Sequence, residues 1–220
     1  IDLISPDEEL RKILEYRTQE LIEYQNLSYA KEYMNFVGNI FKKEQKTRSS
    51  SELSQNVAKY LFKLMATKDE YEVARLSLKA ELDSAISQEF GKSAKISYML
   101  HPPFLKAMEN IPILNMLPGV KSKLALGSWF KVFYVMLKNM KFLRGTPFDF
   151  MAWFSNDVRK ADRKALDHYK SILTKNIDEI GNGKYQDLKD FSVLPDIIRG
   201  YEEVRLETMD EYYSKSNNLF

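Results

Sequence analysis

Apolar residues recur at helical spacing along most of the chain, and the breaks between the runs coincide with capping and turn residues. The opening run, SPDEELRKILEYRTQELIEYQ, places Ser5, Pro6 and Glu8 where a helix N-terminus wants a cap, a first-turn proline and an acid reaching back to the cap. Leu10, Ile13, Leu14, Leu21 and Ile22 then mark one face, and Tyr29, Tyr33, Phe36, Val37, Ile40 and Phe41 carry the spacing on to about Lys46. Two helices or one bent helix fit this stretch equally. The polar run KKEQKTRSSS reads as a loop, with Ser49 and Glu52 spaced as a second capping box. Val57, Tyr60, Leu61, Leu64 and Met65 predict the next helix, ending near Ala66. Thr67 and Glu70 form a third box, and Tyr71, Ala74, Leu78, Leu82, Ile86 and Phe90 trace one stripe down a further helix closed by Gly91.

The second half is less regular. Lys95 to Leu100 alternates rather than spirals, which leaves room for a short strand or hairpin before His101, Pro102 and Pro103 impose an extended turn. From Trp129 to Leu143 the chain is apolar on most sides, with Lys131, Lys138 and Lys141 on one side; it is too short and too charged to span a bilayer. Thr146 is set to cap a new start, and Phe154, Val158, Ala161, Ala165, Tyr169, Ile172 and Leu173 predict a long helix. GNGK at 181–184 is a turn, Leu194 and Pro195 interrupt the remainder, and an acidic helix occupies about Glu202 to Tyr213. The fold class expected is mainly α, about six to eight helices with one short strand or hairpin near 95–100, in a single domain over 1–220 that has a potential subdivision near 91–103.

Composition narrows the chemistry. Of 220 residues 44% are hydrophobic and only 8 are Gly and 7 Pro, enough apolar material for a core and too few turn formers for a loop-rich β sandwich. The absence of cysteine excludes disulfides, thiolate metal sites and cysteine-ligated clusters held by this chain. No signal peptide opens the sequence, so a cytoplasmic location is expected; the first residue is Ile rather than Met, which suits a segment of a longer polypeptide. Charge is unevenly placed: from Lys92 to Arg144 nine Lys or Arg face one acid, Glu109, for a net +8, leaving −6 for the rest of a chain whose total is +2. Such a block suits an acidic partner, a phosphate or an anionic membrane; equally it suits a solvated lysine-bearing face around an apolar core, or pairing with the chain's own acidic C-terminal helix. No nucleic-acid reading motif accompanies it, and the near-neutral total disfavours a nucleic-acid binder.

The densest charged string is KDEYEVARL, Lys68 to Leu76. An acid/base cluster could be built from it, but Asp69 and Glu70 in a first turn and Glu72 with Arg75 at a three-residue spacing are accounted for by capping and pairing alone. His101 and His168, the only histidines, stand in unlike contexts and are read as packed or solvated rather than as metal ligands. No glycine-rich phosphate loop, nucleophile elbow or zinc-protease motif occurs, so no catalytic, cofactor-binding or metal-binding residue is assigned.

The strings YQNLSYAKEYMNFV (24–37), VAKYLFKLMATKDEYEVARL (57–76), LHPP (100–103), FLRGTPFD (142–149) and LPDIIRGYEEVR (194–205), in this order, resemble the C-terminal region of fused indolepyruvate:ferredoxin oxidoreductases. The string at 57–76 is the most specific. The resemblance departs in two places: Phe150, Met151 and Ala152 stand where a Pro-Phe-Gly turn is expected, and Glu202 where glycine is more usual. It implies a parent enzyme that decarboxylates aryl pyruvates with thiamine diphosphate, coenzyme A, ferredoxin and iron–sulfur clusters, none of whose binding motifs falls on a residue here. The expected role is a scaffolding or interaction domain, with the parent's catalytic domains, ferredoxin and a second copy as partners. In the alternative, Lys68, Arg75, His101 and Arg144 reach a substrate carboxylate or coenzyme phosphate; in a third reading the chain is a free-standing module on an acidic protein or membrane. Candidate contact residues across these readings are Lys68, Asp69, Glu70, Arg75, His101, Lys131, Lys138, Lys141, Arg144 and Arg199.

Overall fold

The first four helices start where side-chain oxygens meet free backbone N–H groups, though often from a neighbouring residue rather than the one expected. The computed structural model describes residues 7–91, 96–100, 124–149, 151–152 and 156–220; Ser5, Pro6, His101 and the expected turn at 102–103 lie outside them. Helix α1, Glu8–Tyr24, is capped by Asp7, whose Oδ1 accepts from the amides of Glu9 (2.8 Å) and Leu10 (3.0 Å). Asn26 caps α2, Leu27–Thr47, by accepting from Tyr29 N at 2.9 Å. That second cap resolves the stretch up to Lys46 into two helices rather than one bent one.

Helix α3 spans Glu52–Met65, α4 Glu70–Ser77 and α5 Ala80–Phe90. The stripe from Tyr71 to Phe90 is therefore two helices, not one. Leu78 N–H turns back to the carbonyls of Arg75 and Leu76, and Lys79 is extended (φ −66°, ψ 132°). Neither residue is a helix breaker, so packing makes the division: α4 buries Tyr71 and Ala74, whereas α5 buries nothing. Strands β1 (Tyr98–Leu100) and β2 (Leu124–Leu126) pair antiparallel in the register Tyr98↔Leu126, Met99↔Ala125 and Leu100↔Leu124, so the alternation near 95–100 does form a strand. The Trp129–Leu143 run becomes a 3₁₀ turn at Ser128–Phe130, α6 at Lys131–Asn139 and a second 3₁₀ turn at Met140–Leu143. Helices α7 (Asn156–Asn176), α8 (Tyr185–Val193) and α9 (Glu202–Asn217) follow, with 3₁₀ turns at Ile177–Asn182 and Leu194–Asp196. The fold is mainly α, with nine α-helices among the described residues where six to eight are expected. No helix among them is long and apolar enough to cross a membrane.

The chain forms two compact units, one from residues 1–67 and 157–220, the other from 68–156. The expected subdivision near 91–103 falls inside the second. A unit assembled from both ends of a chain has no local boundary signal where the other is inserted, so periodicity does not show it.

In the first unit α1, α2, α3, α7, α8 and α9 share one core, built on Leu10, Leu14, Val37, Leu61, Tyr169 and Phe191 among others. Three of its phenols bond to backbone carbonyls of other helices: buried Tyr33 donates to Ala58 O (2.9 Å), half-buried Tyr29 to Met65 O (3.0 Å) and buried Tyr169 to Ser192 O (2.8 Å). Each such bond combines aromatic burial with a satisfied hydroxyl. The second unit has a smaller core, in which Tyr71 and Ala74 of α4 pack with Phe130, Tyr134 and Leu137.

Candidate functional site

The charged string at 68–76 and the basic run at 131–144 meet within the second unit. Asp69 caps α4 by accepting from Glu72 N at 2.9 Å; the capping residue is thus Asp69 rather than Thr67. The same carboxylate takes both ends of Arg144: Nη2 donates to Oδ1 at 2.8 Å and Nε to Oδ2 at 2.5 Å, a two-pronged, charge-assisted pair. The Arg144 guanidinium also lies 5.5 Å from the centre of the Tyr71 ring, and the Tyr71 hydroxyl donates to Asp149 Oδ1 at 2.9 Å. Asp149 Oδ2 accepts from Gly145 N (3.1 Å) and Oδ1 from Ala152 N (3.2 Å), while Thr146 Oγ1 accepts from Phe148 N (3.3 Å). Thr146 is expected to cap a new helix, but it lies inside the turn after α6, and Asp149 is the residue that accepts from Ala152 N at the helical residues 151–152. One turn along α4, Arg75 grips Glu72 through Nε (2.9 Å) and Nη2 (2.8 Å). Both side chains are buried, Arg75 to 5% exposure.

The contacts described are those of capping and pairing. Asp69, Glu72, Arg75 and Arg144 are engaged in capping and pairing, which fixes α4 against the turn at 143–149 and leaves the guanidinium groups oriented by carboxylates of their own chain. Glu70 lies in the first turn of α4 and Lys68 is exposed just before it. Among the three lysines expected on one exposed side, Lys131 donates to both oxygens of Asp83 (2.8 and 2.9 Å) and Lys141 is half-buried in the 3₁₀ turn, where the tighter pitch ends the helical row; Lys138 is exposed. Arg199 belongs to the first unit and pairs with Asp196 through Nε to the carbonyl (2.9 Å) and Nη2 to Oδ2 (2.6 Å). His168 is packed: its Nε2 is 2.9 Å from Ser216 Oγ, with Phe191, Tyr212 and Tyr213 edge-on around the ring. Burial, then the charge of Lys175, holds its pKa below the usual imidazole value. Clefts of about 580 and 660 Å³ open on the first unit, and neither is lined by one of the candidate contact residues.

Two features escape a reading by motif. Glu44 is fully buried and accepts from Leu53 N (3.0 Å), Ser54 N (2.9 Å), Ser54 Oγ (2.5 Å) and Tyr185 OH (2.9 Å). It caps α3 from the preceding helix, in place of the box expected of Ser49 and Glu52; its signal was an acid continuing the Tyr33, Val37, Phe41 stripe by three residues. The second is the outward face of α6, where Trp129, Val132, Val135 and Met136 are exposed.

No curated protein and no solved structure matches the sequence. A family profile does match, over residues 10–217, and since that is nearly the whole chain the protein belongs to DUF6537, a family described as being of unknown function.

Proposed function

We propose that the chain is a non-catalytic scaffolding domain of an indolepyruvate:ferredoxin oxidoreductase-like enzyme, a cytoplasmic oxidoreductase whose thiamine diphosphate, coenzyme A and iron–sulfur chemistry resides in other domains. The observation that carries this reading is what becomes of the string at 57–76, the most specific point of the resemblance. Its charged residues Asp69, Glu72 and Arg75 are engaged in a helix cap and a buried ion pair, so the string encodes a fold element rather than a reacting group. A sequence stretch of that kind serves to hold a surface in shape. The absence of cysteine fits the same division of labour, because thiolate-bound clusters then belong to the partner domains.

The test is reconstitution. Mixed with a separately purified thiamine diphosphate-dependent catalytic region of such an oxidoreductase, the purified chain should co-elute as a complex in size-exclusion chromatography. Alone it should be colourless, carry no thiamine diphosphate by native mass spectrometry, and leave indolepyruvate untouched. Bound cofactor in the isolated chain, or no complex at micromolar concentrations, refutes the proposal.

A further inference from the structure

The two clefts of the first unit differ in character. The smaller is bordered by Asp7 and Ser51, which bond to one another, and by Gln55, which bonds to both, so its polar groups already have partners. The larger, of about 660 Å³, lies between the second half of α2 and the junction of α7 with the 3₁₀ turn at Ile177–Asn182. Its floor is apolar: Ile40 and Ile177 are 3% and 8% exposed, and Phe36 is half-buried. Small-molecule sites are apolar clefts of roughly 300–1,000 Å³ with a few polar groups at fixed places, and this one has that form. All of its lining residues belong to the first unit.

The rim supplies the charge. Lys42, Lys43 and Lys46 line the cleft against one acid, Asp178, and Lys43 takes that acid in an ion pair that ties α2 to the 3₁₀ turn. Lys42 and Lys46 remain, both exposed, one helical turn apart on the same side of α2, with no acid partner among the described residues. The nearby carboxylates are committed elsewhere: Glu44 caps α3, and Glu179 pairs with Lys184. Attraction to the helix C-terminus accounts for a cation at Lys46 in the last turn of α2, but it fades before Lys42, one turn earlier. Two like charges at this spacing repel, and an anion between them turns the repulsion into two attractions. We infer that the cleft binds a small amphiphilic anion, its apolar body on Phe36, Ile40 and Ile177 and its carboxylate or phosphate head between Lys42 and Lys46. Lysine ammonium groups are point charges that accept either head. The site is separate from the scaffolding role and does not depend on it.

The experiment titrates the full chain with decanoate and with decyl phosphate, below their micelle concentrations, by isothermal titration calorimetry; decylammonium, with the same tail and the opposite charge, is the control. Saturable single-site binding of at least one anion is expected with Kd of about 10–300 μM, and decylammonium should bind at least about 10-fold more weakly. Lys42→Gln with Lys46→Gln removes both charges from exposed positions and should weaken the anion about 10-fold with the circular dichroism spectrum unchanged. Thr174→Trp, at an exposed lining position of α7, narrows the cleft without deleting a core atom and should weaken the anion by about 10-fold or more. Should the tryptophan variant misfold, the lysine pair still carries the test, since neither lysine is buried. No saturable binding of either anion up to about 3 mM overturns the assignment. Decylammonium binding equal to that of the anions, or anion binding that both variants leave unaltered, overturns it too. So does flotation of the wild-type chain with phosphatidylglycerol vesicles, abolished by the lysine pair, in the absence of binding to either free anion, because the rim would then serve a lipid surface.

Discussion

Glu202 offers a sharp test of how far local backbone geometry governs stability here. It is the one non-glycine residue with positive φ among those described, at +50°, and it opens helix α9. A side chain with a Cβ in the left-handed region costs roughly 1–2 kcal/mol. Two residues earlier Gly200 sits at φ +82°, where a Cβ would come within 2.6 Å of Val204 Cγ1, and Thr208 closes the turn by bonding to Arg199 N (3.2 Å) and Arg199 O (3.0 Å). The backbone at 200–202 is therefore set by its surroundings, and Glu202 must accept the conformation it is given. Replacement by Gly removes the Cβ cost but adds roughly 0.4–1 kcal/mol of unfolded-chain entropy. Replacement by Ala keeps the cost. Both variants lose the acid's interaction with the helix N-terminus, roughly 0.3–1 kcal/mol, so that loss cancels between them. Glu202→Gly should thus be more stable than Glu202→Ala by about 0.5–1 kcal/mol. At Glu207, exposed in the middle of the same helix, Ala should exceed Gly by about 1 kcal/mol. The assay is urea denaturation of all four variants followed by circular dichroism at 222 nm. The reasoning is refuted if Ala is the better residue at both positions.

Removing the Glu44 carboxylate should be far more damaging. Glu44→Ala leaves four buried donors without their acceptor, and a loss of about 3 kcal/mol or more is expected in the same urea assay; a loss below about 1 kcal/mol contradicts the capping role. In the second unit, Glu72→Ala strips the buried Arg75 of its carboxylate and should cost about 3–5 kcal/mol, whereas the double variant Glu72→Met, Arg75→Met should recover most of it, as read by thermal melts. Acid should destabilise the first unit in two windows. His168 has a depressed pKa, so below about 6.5 the unfolded chain takes up a proton that the folded one resists; stability holds above that pH and falls as pH drops towards the folded value. Asp7, held low first by the Ser51 hydroxyl and next by Leu10 N, contributes stability above its ordinary value of 3.8 that is lost as pH falls through its folded value. His168→Phe should flatten the upper window alone in a pH series of urea midpoints.

What the sequence discloses and what it hides divide along physical lines. Periodicity located the helices because the core stripes of α2, α3 and α7 are continuous, and burial of Tyr33, Val57 and Tyr169 follows from spacing alone. Caps were harder, since the residues preceding each helix offer several oxygens and tertiary contacts select among them. Asp7 prevails at α1 because it also takes the Ser51 hydroxyl and Gln55 Nε2, and Asp69 at α4 because it also takes Arg144. Glu44 shows the limit most plainly, for its donors lie nine, ten and 141 residues away. The candidate site follows the same rule. The Glu72–Arg75 pair was legible because a three-residue spacing on one helix fixes its geometry, while the Asp69–Arg144 pair spans 75 residues and was visible only as two separate charges. Lys131, Lys138 and Lys141 were grouped by spacing, yet Asp83 takes the first and the change of pitch at Met140 the last. Periodicity marks both sides of α6 as apolar, but only the fold shows that Tyr134 and Leu137 are buried against α4 while Val132 and Met136 stay exposed.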